Sequence, residues 1–205
     1  MRFYREQMVP RLLNKAMDTK VEREVRARVC QPLTGEVVEI GFGSGLNAAY
    51  YPPAVKKVYA VEPSEVSMRL AQPRIAASPA PVEFAGLTGE HLDLSSGAFD
   101  AILSTWTLCS IPDLDAALEE MRRVLKPGGT FHFVEHGHAP DAGVARWQER
   151  LEPLSKRAFG GCHITRRISD SIERAGFDLE ALDTYYAHGA PKPWGYTFEG
   201  RARKN

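Results

Sequence analysis

The stretch that most constrains the fold is Val37-Val38-Glu39-Ile40-Gly41-Phe42-Gly43-Ser44-Gly45. A short apolar run, long enough only for a buried strand, ends in glycines at alternate positions. Glycine at that density marks either a tight turn alone or one in which bare backbone also faces a ligand. The spacing is not G-x-G-x-x-G, because Leu46 stands where that pattern has its third glycine. A strand that runs into a glycine turn opens a β-α-β unit, and a helix is expected after Gly45.

The same alternation continues along the chain. Residues 9–29 read as one or two helices. A second strand, 58–61, ends at Glu62-Pro63-Ser64, and 65–77 reads as a helix despite Pro73. Strands follow at 82–84 and 101–104. Over 113–125, Leu114, Ala117, Leu118, Met121, Val124 and Leu125 fall on one helical face, with Asp113 as N-cap. Lys126-Pro127-Gly128-Gly129 stops that helix before a fifth strand at 130–135. Strands alternating with helices imply right-handed crossovers and a doubly wound, mostly parallel α/β sheet. Two helical stretches, 144–159 and 165–175, and two strand-like segments, 179–187 and 196–202, complete the chain. The last two are expected to form an antiparallel hairpin at the sheet edge.

Charge narrows the function. Lys+Arg and Asp+Glu both count 26, so net charge is zero with neutral histidines, and a nucleic-acid partner is not expected. The basic end Arg201-Ala202-Arg203-Lys204 reads as a solvated tail. No apolar run reaches the roughly 18 residues of a membrane-spanning helix, and 1–6 lack a signal-peptide pattern. Three scattered cysteines, Cys30, Cys109 and Cys162, suit a reducing, cytoplasmic setting and carry no zinc-ligand spacing.

Glu39 through Gly45, E-x-G-x-G-x-G, resembles motif I of the class I S-adenosylmethionine-dependent methyltransferases, in the methyltransferase type 11 group. An acidic residue ahead of the glycines suits that cationic ligand and would repel a pyrophosphate. Phe99-Asp100-Ala101-Ile102 with Thr107-Leu108-Cys109-Ser110-Ile111-Pro112-Asp113 resembles the family's fourth strand and loop. Arg122-Arg123-Val124-Leu125-Lys126-Pro127-Gly128-Gly129 resembles the turn before its fifth strand. A narrower likeness rests on TLCSIPD, RRVLKPGG, Phe131-x-Phe133-x-Glu135-His136, Trp147-Gln148 and Gly161-Cys162-x-x-Thr165-Arg166. These are similar to the methyltransferase-like thiol S-methyltransferases and their bacterial relatives. Eukaryotic members begin with an apolar anchoring segment not seen here, so an integral membrane segment is not expected, while peripheral membrane contact stays open.

The resemblance implies a Rossmann-like methyltransferase fold: a doubly wound, mostly parallel seven-stranded sheet with an antiparallel C-terminal hairpin. One domain, 1–205, would comprise a helical cap over 1–34, a cofactor-binding core over 35–140, and acceptor-side helices and closing strands over 141–205. Glu39, Gly41, Gly43 and Gly45 would surround the methionine part of S-adenosylmethionine. Glu62 would accept from both ribose hydroxyls, with Pro63 and Ser64 flanking ribose and adenine. Gly89 and Glu90, or Thr88, would read the adenine amine, and Ser104 and Thr105 would touch the methionine end. Phe3, Tyr4 and Met8 would cap the pocket.

Direct displacement from a sulfonium needs alignment more than acid–base help. His136, His138 and His163 are the candidate bases, with His136 and His163 placed first, because imidazole titrates in the useful range. His136, His138, His163 and Glu135 have weak metal-ligand spacing, so no metal site is expected. Cys109 and Cys162 read as buried spectators. Trp106, Trp147, Phe159, Tyr185, Tyr186 and Trp194 suggest an apolar pocket for a small-molecule acceptor. Its methylated atom stays open among thiol sulfur, amine nitrogen and quinone carbon, as does the oligomeric state. Two other readings compete. A nicotinamide-dependent oxidoreductase would use the same sheet and Glu62, but Leu46 and the KPGG turn argue against it. A non-catalytic cofactor-binding scaffold would keep every glycine.

Overall fold

The computed structural model describes residues 7–205; the expected pocket-capping residues Phe3 and Tyr4 lie outside them. Two helices, α1 (Val9–Ala16) and α2 (Lys20–Cys30), precede the sheet. The first half then runs β1 (Gly35–Ile40), β2 (Val55–Val61), α3 (Glu65–Ala76), β3 (Val82–Gly86), β4 (Phe99–Thr105), α4 (Leu114–Val124) and β5 (Leu125–His136). The second comprises α5 (Ala142–Ala158), α6 (Ile168–Arg174), β6 (Phe177–Tyr186), α7 (Lys192–Gly195) and β7 (Tyr196–Lys204).

The seven strands lie in the order β3-β2-β1-β4-β5-β7-β6. The first five are parallel, and β7 pairs antiparallel with both β5 and β6. This is the expected doubly wound sheet with its antiparallel C-terminal hairpin. The strand order reverses between β1 and β4, which opens a crevice at their carboxyl ends where ligands of such sheets bind.

Alternation along the parallel strands builds two apolar layers. Val38, Ile40, Ile102, Phe131 and Phe133 pack with Leu118 and Met121 of α4 on one face. Val37, Leu103 and Val134 pack with Val25 and Val29 of α2 on the other. The α4 helix forms as its periodicity predicts: Leu114, Ala117, Leu118, Met121 and Val124 are buried, and Asp113 Oδ1 accepts from Ala116 N at 3.1 Å.

The expectation of a helix after Gly45 is wrong. Only a 3₁₀ turn forms, Ala48–Tyr50, followed by extended backbone at Tyr51. Pro52 and Pro53 lack the N–H groups a continuing helix needs, and proline pushes the residue before it out of helical geometry. The glycine turn therefore presents loop amides, not a helix N-terminus, to the crevice. In the C-terminal third, the helix expected from 165 begins at Ile168, because Arg166 is turned inward to donate to Leu108 O and Ile111 O.

Candidate active site

All three glycines of the turn have positive φ: +72° at Gly41, +57° at Gly43 and +76° at Gly45. They are required for different reasons. A Cβ on Gly41 would fall inside the Thr107 side chain, and one on Gly45 would press on the Phe42 ring at 3.2 Å. On Gly43 a Cβ would meet only Gly41 O at 3.8 Å, so this is where bare backbone borders open space.

Glu39, on the α2 side of β1, is buried. Its Oε1 accepts from Asn47 Nδ2 at 2.9 Å and its Oε2 from the Tyr51 hydroxyl. Asn47 Nδ2 also reaches Thr105 Oγ1 at 3.0 Å. Arg26 of α2 donates from Nη1 to Asn47 Oδ1 at 2.8 Å and to Thr105 Oγ1 at 3.0 Å. Burial pushes the Glu39 carboxyl up to about 7, against the pull of Tyr51, Asn47 and the Arg26 cation. Burial likewise lowers Arg26, with Glu39 opposing it. The guanidinium carbon stands 4.7 Å from the Trp106 ring centroid, so the network runs from the floor of the glycine turn to the loop after β4. Sequence reasoning missed Arg26, Asn47 and Tyr51. The available signal was Arg26 itself, a cation between Val25 and Val29 on a helix whose buried face includes both.

Glu62 directly follows β2 and is 6% exposed, its carboxylate aimed back at the turn. Gly43 N donates to Oε2 at 2.7 Å and Ser64 N to Oε1 at 2.8 Å. Burial raises this carboxyl, and those two amides hold it down. A carboxylate has about four acceptor positions, so each oxygen keeps one for a diol. Ser64 caps α3 by accepting from Ser67 N at 3.2 Å. Gly89 is packed so closely on Ile40 that a Cβ there would lie 3.2 Å from Cγ2, which sets the 88–91 turn beside the end of β1. Glu90, half-buried, follows it.

Ser104 is fully buried and donates to Glu135 Oε1 at 3.0 Å, while Thr105 is held by Arg26 and Asn47. Both brace the crevice from below. Trp106 then takes φ +52°, a strained conformation for a bulky residue worth about 1–3 kcal/mol. Strain of this kind persists where surroundings over-determine it, and here Glu135 does so. Its buried carboxylate gathers Thr107 N (2.8 Å), Leu108 N (3.0 Å) and Cys109 N (3.4 Å) as well as Ser104 Oγ.

The three histidines separate. His136, half-buried at the carboxyl end of β5, has its ring 6.4 Å from that of Trp106 and lies beside Cys109 and Cys162. His163 is turned to Glu152, Nδ1 to Oε1 at 3.0 Å, and is lowered by burial and by Arg166 and Lys156. His138 lines a shallow cavity of about 350 Å³ with Arg167, Asp170 and Tyr196, away from the glycine turn. Of the aromatic residues expected around an acceptor, Trp106 borders the crevice. Tyr185 and Tyr186 lie on β6, the far edge strand, bonded to Glu199 and Asp141.

A reversed parallel sheet, an open positive-φ glycine turn after β1 and a carboxylate directly after β2 define the class I methyltransferase type of nucleoside-binding site. A family model described as "Methyltransferase domain" matches residues 38–133. The thiol S-methyltransferase TMT1B of Rattus norvegicus is 35% identical over 154 residues, covering 72% of this chain and 62% of that protein. The Homo sapiens TMT1B is 32% identical over 176 residues, covering 80% and 70%. The chain thus spans less than two thirds of the rat relative's length. A SAM-dependent methyltransferase structure from Aquifex aeolicus superposes with a TM-score of 0.66 at 16% identity, covering 96% of this chain and 98% of that one. The chain belongs to the S-adenosylmethionine-dependent methyltransferase family, which sets the nicotinamide reading aside. Among the described residues no helix is long and apolar enough to cross a membrane.

Proposed function

We propose that this chain is a thiol S-methyltransferase using S-adenosylmethionine. The observation that supports the acceptor class is the degree of likeness: 32% identity to the human thiol S-methyltransferase against 28% to a demethylmenaquinone methyltransferase, each over 80% of the chain. The human thiol S-methyltransferase aligns over 80% of the chain, well beyond the 38–133 segment that the general methyltransferase model matches, and so into the acceptor-side third.

The residues present suit the cofactor. The open side of Gly43 is a cradle that a side chain would fill. Glu62 has acceptor positions left for the ribose diol, each charge-assisted bond contributing about 1.5–3 kcal/mol. Glu39, with Asn47 and Tyr51, sets a carboxylate beneath the turn for the cofactor's ammonium. Gly89 and Glu90 would meet the adenine edge, and Pro63 and Ser64 would flank the ribose. Bound there, S-adenosylmethionine supplies a methyl group on a sulfonium, whose departing partner is a neutral thioether. The rest is positioning. Trp106 and the Glu135-clamped loop 107–109 form the wall against which an acceptor sulfur aligns and loses water. A thiol near pKa 8.5 is a few per cent ionised at neutral pH, so the chain has only to favour the thiolate. His136 is the imidazole on that wall; His163 braces the loop through Glu152.

Methyl-labelled cofactor offered with alkyl thiols, aryl thiols, amines and quinols tests this. Label is expected on sulfur. Transfer confined to amine nitrogen or quinol carbon would refute the acceptor class.

A further inference from the structure

No metal site was expected from the sequence, and the residues weighed for one there do not come together. His163 is committed to Glu152, His138 faces the β7 side, and the Glu135 carboxylate is filled by four donors. His136 stands instead with the two cysteines. Cys109 Sγ and Cys162 Sγ are 3.3 Å apart, and these sulfurs and a ring nitrogen of His136 all lie within 4.8 Å of one another. Both thiols are free and buried.

Three separate segments are fastened to make this cluster. The Cys109 turn is clamped by Glu135 from within. His163 N donates to Cys109 O at 2.7 Å, tying the 160–163 loop onto that turn, and Cys162 N donates to Phe159 O at 3.2 Å. Arg166 adds bonds to Leu108 O and Ile111 O. His136 arrives on β5, next to the strand that delivers Cys109. A buried spectator thiol requires none of this.

We propose that Cys109, Cys162 and His136 form a site for one zinc-type divalent ion, with the fourth position taken by the acceptor's sulfur. The donor set decides the ion class: two thiolates and an imidazole suit zinc and exclude magnesium or calcium, which take oxygen. Bonds of about 2.3 Å to sulfur in a tetrahedron set the sulfurs about 3.8 Å apart, so the cysteines need separate by only about half an ångström. Three protein donors leave one position open, the arrangement of a catalytic zinc. Each cysteine releases its proton to solvent as the ion binds. A coordinated acceptor thiol releases its own likewise, because a coordinating thiol is deprotonated outright. Its lone pair would then form the sulfur–methyl bond as the cofactor's methyl–sulfonium bond breaks, that bond's electron pair leaving with neutral S-adenosylhomocysteine. The ligand set stands independently of the thiol-transfer reading; the use of the fourth position rests on it.

The test uses the full chain purified with a phosphine reductant. Zinc is quantified by elemental mass spectrometry, and the stripped protein is titrated with Co²⁺. The expected result is one ion per chain, with thiolate-to-cobalt charge-transfer bands and the intense visible bands of a tetrahedral site. Cys109→Ser and Cys162→Ser should each weaken that charge transfer, His136→Ala should lower affinity at least about tenfold, and Cys30→Ser should change neither. A small alkyl thiol added to the cobalt protein should shift the bands, and an unchanged spectrum would remove the acceptor from the fourth position. Folded wild-type protein with no saturable Co²⁺ or Zn²⁺ binding, or a metal-free Cys109–Cys162 disulfide as the isolated state, would overturn the site. S-adenosylhomocysteine binding in the same samples separates the failures. If it survives without metal, only this inference falls; if it is absent with metal bound, the methyltransferase reading falls.

Discussion

Alanine at Gly43 and at Gly41 should separate ligand approach from backbone strain. Both positions have positive φ, where an L-residue is disfavoured by about 1–2 kcal/mol, partly offset by about 0.4–1 kcal/mol from the less flexible unfolded chain. Gly43→Ala has no protein atom nearer than 3.8 Å to its new methyl, so the net loss is about 1 kcal/mol and Tm should fall by about 2–4 °C. Gly41→Ala adds overlap with Thr107, whose Cβ would be 2.6 Å away and whose amide belongs to the Glu135 clamp. Overpacking adds about 1–3 kcal/mol, so Tm should fall by on the order of 10 °C. Cofactor affinity should reverse the contrast in cause. The Gly43 methyl occupies the cradle directly and should weaken S-adenosylhomocysteine by at least about 30-fold, about 2 kcal/mol, in a protein that is nearly as stable as wild type. Thermal denaturation and calorimetric titration on the same preparations measure both. Binding by Gly43→Ala within about twofold of wild type would refute the view that the open side of this turn is where the cofactor lies.

The Glu39 network predicts a pH dependence. Its carboxyl is raised from 4.5 to about 7, so between those values the folded state holds a proton that the unfolded state releases. Unliganded stability should therefore fall as pH rises through that window, by up to roughly 3 kcal/mol. Glu39→Gln should remove that part of the slope, and urea unfolding at about pH 5 and about pH 8 reads it; equal slopes in the two proteins would contradict the assignment. Arg26→Met should destabilise by about 3–5 kcal/mol, because it leaves Asn47 Oδ1 without its donor and Glu39 without its buried cation. A Tm unchanged within about 2 °C would show that the network carries little stability.

Most local signals in the sequence were read correctly, and contacts between distant segments were not. The glycine turn, the Asp113 cap, the apolar face of α4 and the C-terminal hairpin each follow from neighbouring residues, and each formed as expected. Glu62 could be picked out because its distance from the glycines spans one crossover between neighbouring parallel strands, β1 to β2. The missing helix after Gly45 was also legible, in Pro52 and Pro53, but the motif's usual sequel outweighed them. Arg26 could not be joined to Thr105, nor Cys109 to Cys162, because only the crossover of the sheet brings those segments together. Ser104 was placed at the crevice by its position on β4, yet parity along the strand turns it down to Glu135.

Whether Glu62 holds the cofactor is decided by calorimetric titration of wild-type protein and Glu62→Ala with S-adenosylhomocysteine, with NAD(H) as the control ligand. The two Glu62 oxygens, already fixed by Gly43 N and Ser64 N, are expected to hold the ribose diol. Loss of two charge-assisted bonds should weaken binding by about 100-fold or more, while circular dichroism shows the fold retained. Tight binding by wild type that Glu62→Ala weakens by at least about that factor, with no response to NAD(H), is the predicted result. Equal affinity in the two proteins, or binding of NAD(H) in its place, would contradict the site.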